Sequence, residues 1–264
     1  MKKIVIACDS FKESMNAIEA CDSIEKGLKR CKIPCHIEKI PLADGGEGTS
    51  DILRFQRNCH KVTINIQNPL SQNISCHYWI EDNQKTAYID VAMACGIELL
   101  SPEQRNPIQA TSYGLGQLIH DAVLHGVKQI LIGLGGSCTN DGGIGLLRAL
   151  GAKFYQKDGT ECLNIRQLSK LDYFDISNTR EILKGVRIIG LYDVDNVLLG
   201  KGGATQVFGP QKGANASQIH ILEACLSRWN EVVQEQENRN IAKYVGAGAA
   251  GGTCRQDGSR RGSP

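Results

Sequence analysis

The sequence predicts an α/β fold, on three observations. Residues 2–8, Lys-Lys-Ile-Val-Ile-Ala-Cys, form a short apolar run with the β-branched content of a buried strand. Met15, Ile18, Cys21, Ile24 and Leu28 recur at three- and four-residue steps, one stripe of an amphipathic helix, and a second strand over residues 35–40 stops at Pro41. Strand, helix and strand in that order build a parallel sheet. The third observation is that apolar strands repeatedly run out into loops of Gly, acidic and hydroxyl residues. In open α/β sheets that is where ligands bind.

The elements follow in order. Ser14 is the predicted N-cap of the first helix. The turn Ala43-Asp44-Gly45-Gly46-Glu47-Gly48-Thr49 leads into a helix over residues 50–56. From residue 60 the pattern changes to alternating, β-branched and aromatic segments at 60–66, 75–79 and 86–91, a run of antiparallel or mixed strands. A domain change is therefore placed near residue 60. Leu115, Leu118, Ile119, Ala122 and Val123 mark a helix over 111–125, with Gly126 suited to its C-terminal cap. Residues 128–132 form a buried strand that feeds Gly133-Leu134-Gly135-Gly136-Ser137-Cys138-Thr139-Asn140-Asp141-Gly142-Gly143, and a helix runs on through Leu147 and Leu150. Another strand covers 186–192 and ends at Asp193. A long amphipathic helix covers 215–237 on Ile219, Leu222, Leu226, Trp229, Val232 and Val233. Residues 246–252, Gly-Ala-Gly-Ala-Ala-Gly-Gly, form a hinge of the kind that opens an element. No apolar residue follows Cys254, so residues 253–264 are expected to be a disordered tail and the hinge to open nothing.

Composition narrows the function. Thirty basic against 28 acidic residues give a formal charge of +2, which is no nucleic-acid polycation. Aromatics at 5% are too few for base-stacking platforms, and no apolar run is long enough to span a membrane. Eleven cysteines, about 4% of the chain, fall below the density of disulfide scaffolds and show no C-x-x-C pair. They are read as buried free thiols in a reducing cytoplasm. Neither metal-type Cys/His spacing nor a His triad is present, and the six histidines are read as structural.

The candidate chemistry lies in the strand-end loops. Glycines let backbone N–H groups approach an anion, and a following helix N-terminus adds positive potential, so 135–143 is either a phosphate cradle or a turn needing positive φ. Asp44 and Glu47 in a Gly-rich turn suit Mg²⁺ or proton acceptance, or simply a solvated loop. Lys12 and Lys212 stand where they can neutralise phosphate. The Walker pattern is absent. Gly246, Gly248 and Gly251 match G-x-G-x-x-G without the strand and helix that give that pattern meaning.

Asp9-Ser10-Phe11-Lys12-Glu13-Ser14, the turn 43–49, the loop 135–143, Asp193-Val194-Asp195-Asn196, residues 207–214 and the segment 246–252 occur in register. Together they resemble the bacterial type-I glycerate kinase family over residues 1 to about 252. Cys8 and Cys138 stand where the family usually has Pro and Ala, and Val197 where it has Pro. The resemblance implies two α/β domains flanking a cleft, the first discontinuous and incomplete at its C-terminal end. They comprise residues 1–60 plus 240–252, and an inserted domain over 61–239. It implies ATP- and Mg²⁺-dependent phosphorylation of a glycerate hydroxyl, the 2-position favoured, by a cytoplasmic enzyme with no nucleic-acid or membrane partner. Ser10 and Lys12 are assigned to the glycerate carboxylate or phosphate. Asp44 and Asp193 share the roles of general base and Mg²⁺ ligand, undivided between them. Ser137, Thr139 and Asn140 bind phosphate or substrate oxygens, with Lys212 nearby. Because family members continue beyond this match, the alternative is a truncated, inactive remnant of such a kinase; a non-enzymatic small-anion binding protein is a further one.

Overall fold

A computed structural model describes residues 2–11, 14–31, 34–55, 57–82 and 85–253. The chain opens with β1 (Lys2–Ile6), α1 (Ala17–Arg30) and β2 (Cys35–Lys39), and the two strands pair in parallel with Ile4 opposite Ile37. The helix starts later than the apolar stripe suggests. Asn16, not Ser14, is the N-cap: its side chain accepts from Glu19 N–H at 2.9 Å while Asn16 N–H donates back to Glu19 at 3.0 Å. This reciprocal box satisfies two orphan donors at once and displaces Ser14, which donates its N–H to Phe11 C=O. Met15 consequently lies before the helix, bridged to Phe11.

A short α2 (Thr49–Phe55) leads to β3 (Cys59–Gln67), β4 (Asn73–Glu81) and β5 (Thr86–Asp90), which alternate in direction. After α3 (Val91–Cys95) and α4 (Tyr113–Leu124), β6 (Gln129–Gly133) joins β5 in parallel. Then come α5 (Ile144–Ala149), the antiparallel pair β7 (Lys153–Gln156) and β8 (Leu171–Asp175), and α6 (Ser177–Ile182). Next is β9 (Arg187–Leu191), parallel to β6. The main sheet therefore runs β3-β4-β5-β6-β9, half antiparallel and half parallel. All five β5 residues are buried, as a strand covered on both faces must be. The chain continues through α7 (Ala204–Phe208) and the long α8 (Ala216–Glu237), capped by an Asn215–Gln218 box.

Among the described residues two large apolar cores result, beside a small cluster of Leu100, Ala110 and Cys138. One joins the sheet to α4 through Ile66, Ile89, Leu115, Ile119 and Ile130. The other packs α8 on β7 and β8, where the Phe154, Phe174 and Trp229 rings meet at centroid distances of 5.1 to 6.3 Å. Between the two lies a groove of about 570 Å³, lined by Leu115, Ile119, Leu146, Ile188, Trp229 and Val233 among others. All ten described cysteines are free, six of them buried. Of the predicted tail only Thr253 is described; it donates to Ala250 C=O, and residues 254–264 lie outside the described residues.

Candidate active site

The parallel strands place their C-terminal ends side by side. Gly133 ends β6, Leu191 ends β9 and Asp90 ends β5; loops leave the first two, while α3 follows Asp90 directly. The loop after β6 is tight because glycine permits it. Gly136 sits at φ +74°, and a Cβ on Gly135 would stand 2.5 Å from Gly46 Cα. Gly135 N–H instead donates to Gly45 C=O at 3.0 Å. The turn carrying Asp44 thus lies flat against the loop carrying Ser137.

A cavity of about 200 Å³ opens beside the loop carrying Ser137. Of the residues singled out from sequence, Ser137, Asp193 and Lys212 line it. Lys212 is 2% exposed and fully enclosed by chain. Its Nζ donates to Ser137 Oγ at 3.0 Å and to Thr139 C=O at 2.6 Å. Burial pulls its pKa down to about 8, opposed by Cys138 and Asp141. Burial likewise pushes the Cys138 thiol up to about 11, so it stays protonated as a small apolar filler.

The other predicted residues stand apart from the cavity. Asp44 is exposed, and its Oδ1 accepts from Gly46 N–H at 2.6 Å in its own turn. Ser10 is exposed, its N–H donating to Asp9 Oδ1 at 2.6 Å. Lys12 lies outside the described residues. Thr139 and Asn140 are wholly buried behind the cavity. Asn140 Nδ2 donates to Thr205 Oγ1 at 2.9 Å, while Thr139 Oγ1 and Asn140 Oδ1 have no partner among the described residues.

The expected use of a helix N-terminus is corrected. Asp141 already occupies the start of α5: its oxygens accept from Gly143 N–H at 3.1 Å and Gly145 N–H at 3.2 Å. They also accept from Ser112 N–H and Oγ, both at 2.8 Å, which ties down the start of α4. A carboxylate satisfies these donors, which leaves Gly135–Ser137 and Lys212 as the candidate cradle.

The segment 246–252 is likewise not idle. It forms a buried 3-10 turn over Ala249–Gly251. Gly251 C=O accepts from Gly142 N–H at 3.0 Å, and Gly248 N–H donates to Asn196 C=O at 2.9 Å. It braces the loops after β6 and β9 against each other, and Ala249 and Ala250 close one wall of the cavity. Ala250 holds φ +50°, a strained value for a residue with a Cβ. Tyr192, Phe208 and Gln211 also line the cavity. Sequence reasoning missed them, although Gln211 adjoins Lys212 in a quoted segment and Tyr192 ends a predicted strand.

Among the described residues no group of three His, Cys, Asp or Glu side chains converges as a metal cage, and no helix is long and apolar enough to cross a membrane.

A sequence model of the glycerate kinase family matches residues 4–255. A glycerate kinase of Halalkalibacterium halodurans is 39% identical over 253 residues, which cover 96% of this chain and 67% of the relative. A glycerate 2-kinase of Escherichia coli is 40% identical over 251 residues, covering 95% and 66%. A Salmonella typhimurium LT2 crystal structure assigned to glycerate kinase 2 superposes with a TM-score of 0.84 at 39% identity, over 95% of this chain and 67% of that one. The chain spans about two thirds of the length of these relatives. Matched along nearly its whole length, the chain belongs to the glycerate kinase family.

Proposed function

We propose that the chain carries the site of an ATP-dependent glycerate kinase that phosphorylates the 2-hydroxyl. One observation carries the reading beyond family membership. A buried ammonium, a hydroxyl and a carboxylate, from Lys212, Ser137 and Asp193, line one small cavity at the ends of parallel strands. Phosphoryl transfer asks the protein for charge neutralisation, positioning and help with a proton, and these three groups supply them. Lys212 is the counter-charge for the phosphoryl oxygens. Its attachment to Ser137 and Thr139 fixes where that charge stands, so little reorganisation is needed. Asp193 reaches the cavity and accepts the proton of the acceptor hydroxyl. Asp44, in the neighbouring turn, would be a carboxylate ligand for Mg²⁺. Ser10 and Lys12 are assigned to glycerate or phosphate, while Thr139 and Asn140, buried behind the cavity, hold its wall in place, Thr139 by accepting from Lys212.

The donor set fits Mg²⁺ in one particular way. With no three-ligand cage among the described residues, a resident all-protein site is out of reach. Mg²⁺ is usually held by one or two carboxylates together with substrate phosphates, and Asp44 would provide the carboxylate. Bound there, the ion would screen phosphate charge. The proposed division is a domain of 1–60 plus 240–252 and another of 61–239. It is supported by the cavity wall, which takes Ala249 and Ala250 from the first and Ser137, Asp193 and Lys212 from the second. Free thiols at all ten described cysteines suit the cytoplasm.

The test is glycerate-dependent ADP release from the purified chain with Mg²⁺-ATP and D-glycerate, with the product read by phosphorus NMR. 2-Phosphoglycerate is expected; a folded protein that releases no ADP in response to glycerate overturns the proposal. Asp193→Asn and Asp44→Asn should each lower kcat by on the order of a hundredfold or more. Near-normal turnover in both would remove the assigned roles.

A further inference from the structure

The site depends on a contact between two loops from different sheets, 43–48 and 133–137. They meet backbone to backbone with no spare room. Gly135 N–H bonds Gly45 C=O, and a Cβ on Gly45 would lie 2.7 Å from the Leu191 carbonyl group. The loop 43–48 must therefore be pressed onto its neighbour, and the group that does so comes from a third strand end. Asp90, the last residue of β5, is 3% exposed. Its carboxylate accepts from Ser50 N–H at 3.0 and 3.3 Å, from Ser50 Oγ at 2.8 Å, and from Gly48 N–H. Gly133 leaves room for it, since a Cβ there would stand 2.7 Å from Asp90 Oδ1.

The carboxylate is an unusual choice for so buried a place. Among the described residues no lysine or arginine pairs with it, and Asp51 on α2 adds a like charge. Burial pushes its pKa up to about 7 despite the three donors. A structural role in the strand alone would be served better by an apolar residue. The donors it engages all belong to the end of the Asp44 loop and the start of the helix that follows.

We infer that Asp90 is a positioning residue for phosphoryl transfer: its carboxylate anchors Gly48 and Ser50, and so sets where the Asp44 loop stands against the Ser137 loop. The kinetic consequence rests on the proposed function; the anchoring itself rests on geometry alone.

Asp90→Asn keeps the shape but turns an amide NH2 toward existing donors. In the ligand-free protein, amide hydrogen exchange across 44–50 should quicken by about tenfold or more, with β6 and β9 unchanged. Ser50→Ala removes one donor at the helix start and should quicken the same amides by a smaller factor, so the inference is tested even if Asp90→Asn does not fold. In turnover, kcat should fall by about tenfold or more while KM for ATP stays within about twofold. Unchanged exchange across 44–50 in the variants overturns the anchor. Faster exchange with unchanged kcat overturns its role in the reaction. A wild-type chain that never phosphorylates glycerate defeats the functional reading instead, and exchange still decides the anchor.

Discussion

Lys212 holds its charge where desolvation opposes it, and that has a measurable signature. The folded state releases this proton near pH 8, whereas the unfolded chain keeps it to about 10.5. Between those values the unfolded state binds more protons, so this residue makes stability rise with pH. Urea unfolding of wild type against Lys212→Met, compared at both ends of that window, should show the rise in wild type alone. At pH 7 the variant should stay folded, because a buried unpaired ammonium contributes little net stability, yet lose on the order of a hundredfold or more in turnover. Asp193 was legible in the sequence because a charged residue at the end of an apolar strand stands out, and Lys212 because it stands just ahead of the long helix in the segment 207–214. Asp90 was not. It interrupts an apolar stretch inside the predicted strand 86–91, which by sequence marks nothing, and its partner Ser50 belongs to another sheet's connection. Asp141 was legible as part of a loop but not as the group that fills the start of α5, because that depends on which N–H groups the fold turns toward it.

Element boundaries show the same limit. Strand and long-helix positions follow from periodicity, and β3, β5, β6 and α8 fall within a residue or two of where it puts them. The start of α1 does not, since apolar spacing carries no information about which of Ser14 and Asn16 wins the cap. The largest gap concerns 246–252. Gly and Ala there indicate tight backbone, but the reason is Thr139–Gly142, distant in the chain and adjacent in space. Gly251 has φ +67°, and a Cβ on it would collide with the Thr139 carbonyl. Gly251→Ala should therefore cost more than about 2 kcal/mol in urea unfolding. It should also depress turnover, because the brace it breaks joins two walls of the cavity. Glycine is equally fixed elsewhere, but here one methyl tests whether the turn is structural filler or part of the site.

At the scale of the molecule, the sequence makes the α/β class plain and leaves the sheet order hidden. Nothing in the spacing of apolar residues says that β5 and β6 are neighbours, or that β9 crosses to the edge beside β6. That order is what brings Asp90, the Ser137 loop and Asp193 to one end of one sheet. The groove between the two cores, lined by Ile188, Leu146 and Trp229, is a product of the same topology. Trp229 is 1% exposed, and its indole N–H has no hydrogen-bond partner among the described residues. The chain has two tryptophans, and the other, Trp79, lies under the Arg54 guanidinium at 4.1 Å. Replacing Trp79 with Phe therefore leaves a single fluorophore set in the groove wall. Its emission should be blue-shifted and insensitive to iodide, and an apolar quencher small enough to enter should extinguish it. The protein thus carries a built-in optical gauge of its own interior, by which entry into the groove can be followed without a label.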